Sequence, residues 1–280
     1  MPSVPPPISA PPPGPALKRS LGVVDGVALA ASSTAATTSI AIGMGTVASV
    51  VGLQAPALLL LAFLPVLGIA LAYARLNRSE PNCGNGYVWV GTSLSPWLGF
   101  LTGWVTVVGS IVFCAYTSAV MGSVLLILAN RTGVHTLAGV ALDPTSTGIS
   151  TAVGLVVLLV LAVLTVTGTR VATRFQFGLL VFEYAVLLAL CGWAVVTGDH
   201  AFSLSWFDPF AISDGTAFAQ GMVLAVFFFW GWDAAFSVTE ETRSPGDSAR
   251  GGLIALFAML GLFLFASVAF QRELSLAELI

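Results

Sequence analysis

Charge is scarce in this sequence. Of 280 residues, ten are Lys or Arg and thirteen are Asp or Glu, together 8% of the chain. Soluble domains carry about a quarter charged residues, so a water-soluble globule is excluded. Histidine occurs only at His135 and His200, both in polar stretches between apolar runs. No membrane-embedded imidazole is therefore left for Ser-His chemistry or for a buried metal site. The three cysteines are equally sparse. Cys114 and Cys191 fall in apolar segments and Cys83 in a polar stretch, which gives neither a disulfide framework nor a metal cluster. No cofactor and no nucleic-acid partner is expected, and the net charge of −3 rests on too few groups to indicate any other.

What the chain has instead is apolar length. Hydrophobic residues make up 57% of it and the mean hydropathy is +0.96, the composition of an integral membrane protein. About 20 helical residues cross a hydrocarbon core. Seven stretches meet that length, near 21–46, 55–74, 99–129, 149–168, 175–197, 216–242 and 251–271. The third is longer than needed, which predicts tilt or projection beyond the bilayer. Residues 1–16, MPSVPPPISAPPPGPA, are too rich in proline and small residues to pack a core and read as a disordered tail. The transmembrane domain is expected over 17–280. Lys18 and Arg19 precede the first run, and Ala28-Leu29-Ala30 resembles a leader-peptide cleavage site. Asp25 interrupts that short apolar region, so the segment is read as a retained span.

The basic residues orient the chain. With the N-terminus in the cytoplasm, Lys18, Arg19, Arg75, Arg78, Arg170, Arg174, Arg243 and Arg250 fall inside, and only Arg131 and Arg272 outside. This is the asymmetry of the positive-inside rule, and it predicts a multi-pass protein of the cell membrane with a cytoplasmic N-terminus.

Two spans contain residues that a simple membrane helix does not need. In the first, six of the eight residues from Ser32 to Ser39 carry hydroxyls. Such groups can pack between helices and bond back to their own carbonyls. With Gly43 and Gly45 following, they equally suit a helix that breaks at the midplane. In the sixth, Phe229-Trp230-Gly231-Trp232-Asp233 sits near the centre of the run. Glycine permits the dihedrals of a break, and Asp233 is suited to cap a new helix starting at Ala234. Broken helices at corresponding positions point to an inverted-repeat transporter, with exposed amides and carbonyls holding substrate at the midplane. The first repeat would cover about 17–198 and the second would begin at about 199–280. Glu183, eight residues into the fifth span, is a further intramembrane acid and a functional candidate on cost alone. A protonated or water-bonded structural acid is the competing reading.

Four stretches carry a family resemblance: LGVVDGVALA, NRSEPNCGNGYVWVGTSLSPWLGFLTGW, TGTRVATRFQFGLLVFE and FFFWGWDAAFSVTEETRSPGDSARGGLI. Together they resemble the amino acid–polyamine–organocation (APC) superfamily of permeases over residues 17–271. The resemblance implies an all-α integral membrane protein with the LeuT-like inverted-repeat transporter fold, here incomplete. It has about seven transmembrane helices, with the first and sixth discontinuous, where the family has ten core helices. The chain is accordingly expected to be truncated or part of something longer.

The implied function is secondary active transport of amino acids or related amines by alternating access, as proton-coupled symport or exchange. Substrate-binding positions would be Ser33, Thr34, Ala36, Thr37, Thr38, Phe227, Trp230, Gly231 and Trp232. Asp233 and Glu183 would serve coupling, with protons as the possible coupling ion. The sequence departs from the family in two places. Ala36-Thr37-Thr38 stands where a Gly-Ser/Ala-Gly break is usual, and Glu183 stands at a frequent lysine position. A non-transporting or truncated membrane relative, and an intramembrane enzyme, are the alternatives.

Overall fold

The computed structural model describes residues 19–137, 139–167 and 169–280; the proline-rich tail at 1–16 and Lys18 lie outside the described residues. Among the described residues, six helical runs are long and apolar enough to cross a membrane. The first of them, Val23–Ser79, makes two passes. It comprises α1 (Val23–Thr34), α2 (Ala36–Thr38), a π-helical turn at Ser39–Gly43, α3 (Met44–Val51) and α4 (Ala55–Ser79). At Gly52 the backbone leaves helical space, with φ 67° and ψ −139°, and the chain reverses.

The remaining elements are α5 (Asn85–Ser93), α6 (Pro96–Arg131), α7 (Thr147–Thr167), α8 (Thr169–Thr197), α9 (Gly215–Phe227), α10 (Pro245–Glu273) and the short α11 (Leu276–Leu279). A two-residue antiparallel hairpin, β1 (Thr136–Leu137) with β2 (Val140–Ala141), interrupts the all-α pattern between α6 and α7. Between the second and third spans a short non-helical segment at 80–84 leads into α5. In α5, Trp89 is buried and its indole Nε1 donates to the Glu80 carbonyl at 2.9 Å.

Local chemistry sets the helix starts. Ser95 accepts from the Leu98 amide ahead of Pro96, Asp214 accepts from Thr216, and Ser244 accepts from Gly246 ahead of Pro245. Each side chain satisfies one of the orphan amides of a first turn, and proline fits the position whose N–H has no partner. The 36 residues of α6 rise about 54 Å at 1.5 Å per residue, well beyond a hydrocarbon core, so α6 tilts or projects.

The core is built from α1–α4, α9 and α10, with Ile40, Leu58, Leu59, Phe229, Phe236 and Phe263 fully buried. In contrast, α6, α7 and α8 present mostly exposed apolar side chains, as expected for surfaces that face lipid or further protein. Both ends of α10 are tied down. Near its start, Leu21 pairs with Thr242, and Arg243 N donates to Leu21 O at 2.9 Å. Near its finish, Gln271 donates to Leu53 O at 3.2 Å and Arg272 to Gly198 O at 2.9 Å. The first and sixth spans lie side by side, joined where Leu21 meets Glu241 and Thr242 and where Gly231 meets Ser33.

Small residues let α6 and α7 approach closely. A Cβ on Gly122 would collide with the Ser150 carbonyl, and one on Gly154 with the Ser118 carbonyl. Ser118/Gly122 and Ser150/Gly154 are matched small-x-x-x-small pairs, the means by which membrane helices gain contact where apolar burial gives no drive. Gly154→Leu should therefore force the pair apart and cost about 1–3 kcal/mol or more. Thermal denaturation followed by size-exclusion fluorescence measures it; an unchanged transition would mean that this crossing contributes nothing.

Candidate functional site

The first span breaks at Ala35, one residue before the expected Ala36-Thr37-Thr38. Ala35 is left-handed, with φ 48° and ψ 54°, a conformation that costs an L-residue about 1–2 kcal/mol. Packing around it must hold it there. Upstream hydroxyls serve the backbone, as the competing reading of this run anticipated. Thr34 Oγ1 donates to Ala30 O at 2.8 Å and Ser32 Oγ to Leu29 O at 3.1 Å. Downstream, α2 begins with amides that have no helical partner behind them. A π-helical turn at Ser39–Gly43 then leads into α3.

The sixth span breaks at Gly231, as the sequence indicated. After α9 ends at Phe227, a turn leads to Gly231 at φ 103°, and Trp232–Glu241 continues as 3-10 helix. Glycine is required there twice over. Its φ is one that L side chains rarely adopt, and an added Cβ would lie 2.5 Å from Ser33 O and 2.7 Å from Ser33 C. The two breaks thus touch, backbone against backbone. One turn earlier, Phe228 covers Gly43, where an added Cβ would sit 2.8 Å from its ring.

Asp233 is not the cap that the sequence suggested. Gly231 holds the N-cap position with no side-chain capping bond, and the Ala234 amide donates to Gly231 O at 3.1 Å. The helical turn starts at the glycine, two residues earlier than expected, so a backbone carbonyl takes the bond assigned to the carboxylate. Asp233 lies inside that first turn, half-buried and released from a capping duty.

Glu183 is brought to the other break. From α8 its Oε1 accepts from the Thr37 amide at 3.1 Å, a contact spanning 146 residues of sequence. Two further residues of α8 reach the same span. Gln176 Nε2 donates to Ser32 Oγ at 2.6 Å, and Tyr184 Oη lies 3.5 Å from Ala31 O and 3.3 Å from Met259 Sδ. Sequence reasoning missed Gln176, Tyr184 and Ala35. Gln176 and Glu183 are seven apart on one helix face, a signal that could have found the first; nothing in an alanine marks a left-handed residue.

The other expected positions divide. Ser33 is exposed at the break, and Thr37 and Thr38 are half-buried beside it. The Thr37 hydroxyl is buried with no hydrogen-bond partner among the described residues. Thr34 and Ala36 are buried, so their backbone rather than their side chains could serve a ligand. Phe227 and Trp230 stack with centroids 5.4 Å apart and an interplanar angle of 3°. Both stay half exposed, with the indole resting near Gly109 of α6. Trp232 does not wall the break. It is buried and packs edge-on against Tyr73 and Phe236, at 5.5 and 5.7 Å, because the residue after Gly231 emerges on the core side of the turn. A separate hollow of about 520 Å³, lined by Leu71, Arg75, Arg78 and Leu253 among others, opens at the far end of α4 and contains none of these residues.

Comparison with known proteins fits this geometry. The amino acid permease family matches residues 27–278. The low-affinity putrescine importer PlaP of Escherichia coli (strain K12) is 26% identical over 217 residues, 75% of this chain and 44% of the importer. The branched-chain amino acid permease BcaP of Lactococcus lactis subsp. cremoris is 24% identical over 219 residues, covering 75% of this chain and 46% of the permease. A methylthioribose transporter of Bacillus subtilis is 26% identical over 216 residues, 73% and 44% of the two chains. The chain spans about half the length of the curated relatives it matches. With a family match over nearly its whole described length, an all-α multi-pass architecture and paired helix breaks, this chain belongs to the amino acid permease family, whose members are membrane transporters rather than enzymes.

Proposed function

We propose that this chain carries the substrate site of a secondary active transporter for amino acids or related amines. The observation that carries the reading is the meeting of the two breaks, with Gly231 seated on Ser33 and Thr34. Broken helices of this kind present amide dipoles to anionic groups and carbonyls to cations. Substrate sits between the first and sixth spans, against Ser33, Thr37, Thr38, Phe227 and Trp230. Asp233 and Glu183 supply negative charge on either side of the break and serve as coupling groups, for symport with protons or for exchange. Access alternates as one repeat moves against the other. The concentration of Arg19, Arg75, Arg78, Arg243 and Arg250 at one end of the bundle supports a cytoplasmic N-terminus in the cell membrane. Relatives named for a putrescine importer, a branched-chain amino acid permease and a methylthioribose transporter support a small organic solute.

The test is equilibrium binding of labelled leucine and putrescine to the 280-residue chain in proteoliposomes. Saturable binding of at least one, lost when Ser33 is replaced by Trp to fill the break, is expected. Absence of saturable binding of both overturns the reading.

A further inference from the structure

The amide that a carboxylate-bearing substrate would seek is already occupied. In the first turn after the break, whose amides have no helical partner behind them, the Thr37 amide donates to Glu183 Oε1 at 3.1 Å. Thr37 lies two residues past Ala35, the left-handed residue at which the span breaks. A side chain from α8 thus stands where a substrate carboxylate would dock, and a second carboxylate at that point would meet like charge. Gln176, seven residues earlier on α8, bonds Ser32 on the other side of the break.

The charge around the two breaks points the same way. Asp233 follows Gly231 on the sixth span, and Glu183 closes the first. The arginines whose side chains are described, Arg19, Arg75, Arg78, Arg131, Arg243, Arg250 and Arg272, all lie outside a helix or within about two turns of a helix end, and none of these sits at the centre with the two acids. A cation is the missing complement. The half-exposed stacked pair Phe227 and Trp230 adds an aromatic face of the kind that attracts alkylammonium groups.

We infer that Glu183 is a specificity-determining residue, an internal stand-in for the substrate carboxylate, and that the site takes aliphatic amines and diamines without a free carboxylate in preference to zwitterionic amino acids. This rests on the transporter reading above and narrows it.

The experiment compares putrescine with leucine on the intact 280-residue chain in proteoliposomes, by equilibrium binding. In the parent, putrescine should bind roughly ten- to hundredfold more tightly, the ratio set by one hydrogen bond to a charged group. Glu183→Ala opens the Thr37 amide, so it should weaken putrescine and strengthen leucine, inverting the order. Glu183→Gln keeps an acceptor for Thr37 but removes the charge. It should weaken putrescine while leucine stays excluded, and it decides the matter should the alanine variant fail to fold. A parent that prefers leucine, or a Gln variant with unchanged putrescine affinity, overturns the inference and leaves the transporter reading standing. A parent that binds neither probe overturns the transporter reading itself.

Discussion

Gly231→Leu should abolish substrate binding while leaving membrane insertion intact. Two costs fall on the same atom. Leucine at φ 103° is strained by about 1–2 kcal/mol as a left-handed L-residue, and its Cβ would sit 2.5 Å from Ser33 O, a separation that neither backbone can accept. Relief requires the sixth span to move off the first, and that movement separates the groups that form the site. The apolar length and flanking charges that direct insertion are untouched. Binding of putrescine and leucine, measured beside the amount of protein recovered in the membrane fraction, checks both halves. Retained affinity for either ligand would show that the contact between the breaks is dispensable. Gly231→Ala carries the same φ and Cβ penalties with less bulk, and should lose most but not all affinity.

The second large effect concerns Asp233. Its side chain makes no capping bond, so replacement by Ala should not cost the approximately 0.5–2 kcal/mol that loss of an N-cap carries. Asp233→Asn and Asp233→Ala should therefore melt within about 0.5 kcal/mol of one another, as uncapped substitutions do. Both should lose affinity for a cationic ligand, by about tenfold or more for one charged partner. A capping residue would behave differently: Asn would hold stability and Ala would not. Thermal melts of the two variants separate the possibilities, and an Ala variant destabilised well beyond Asn would restore the capping role.

The breaks themselves differed in how legible they were. Gly231 between two tryptophans, followed by an acid, marks the sixth-span break because only glycine takes a φ of 103° without strain. The first-span break falls on Ala35, a residue with no preference for the left-handed region. The hydroxyl run around it gave the neighbourhood and missed the residue by one position. The backbone adopts the strained form because α8 supplies an acceptor for Thr37 and the sixth span packs on Ser33, and such support comes from residues far away in sequence. Asp233 failed as a cap for a related reason. A cap is assigned from the first helical residue, and the 3-10 start at Trp232 shifted that reference by two positions.

The sequence by itself determined that the chain lives in a bilayer and crosses it repeatedly, because apolar length and scarce charge leave water no competitive role. It also determined the order of the spans, their family and the place of the second break. Only the tertiary structure decided which polar groups share the centre. Glu183 meets Thr37 across 146 residues, Trp232 turns into the aromatic core, and Gly231 rests on Ser33. Hydrophobic patterning specifies which faces are buried but not which helices meet. In a membrane that choice falls to close backbone approach and hydrogen bonds between segments, and these exist only once the chain has folded.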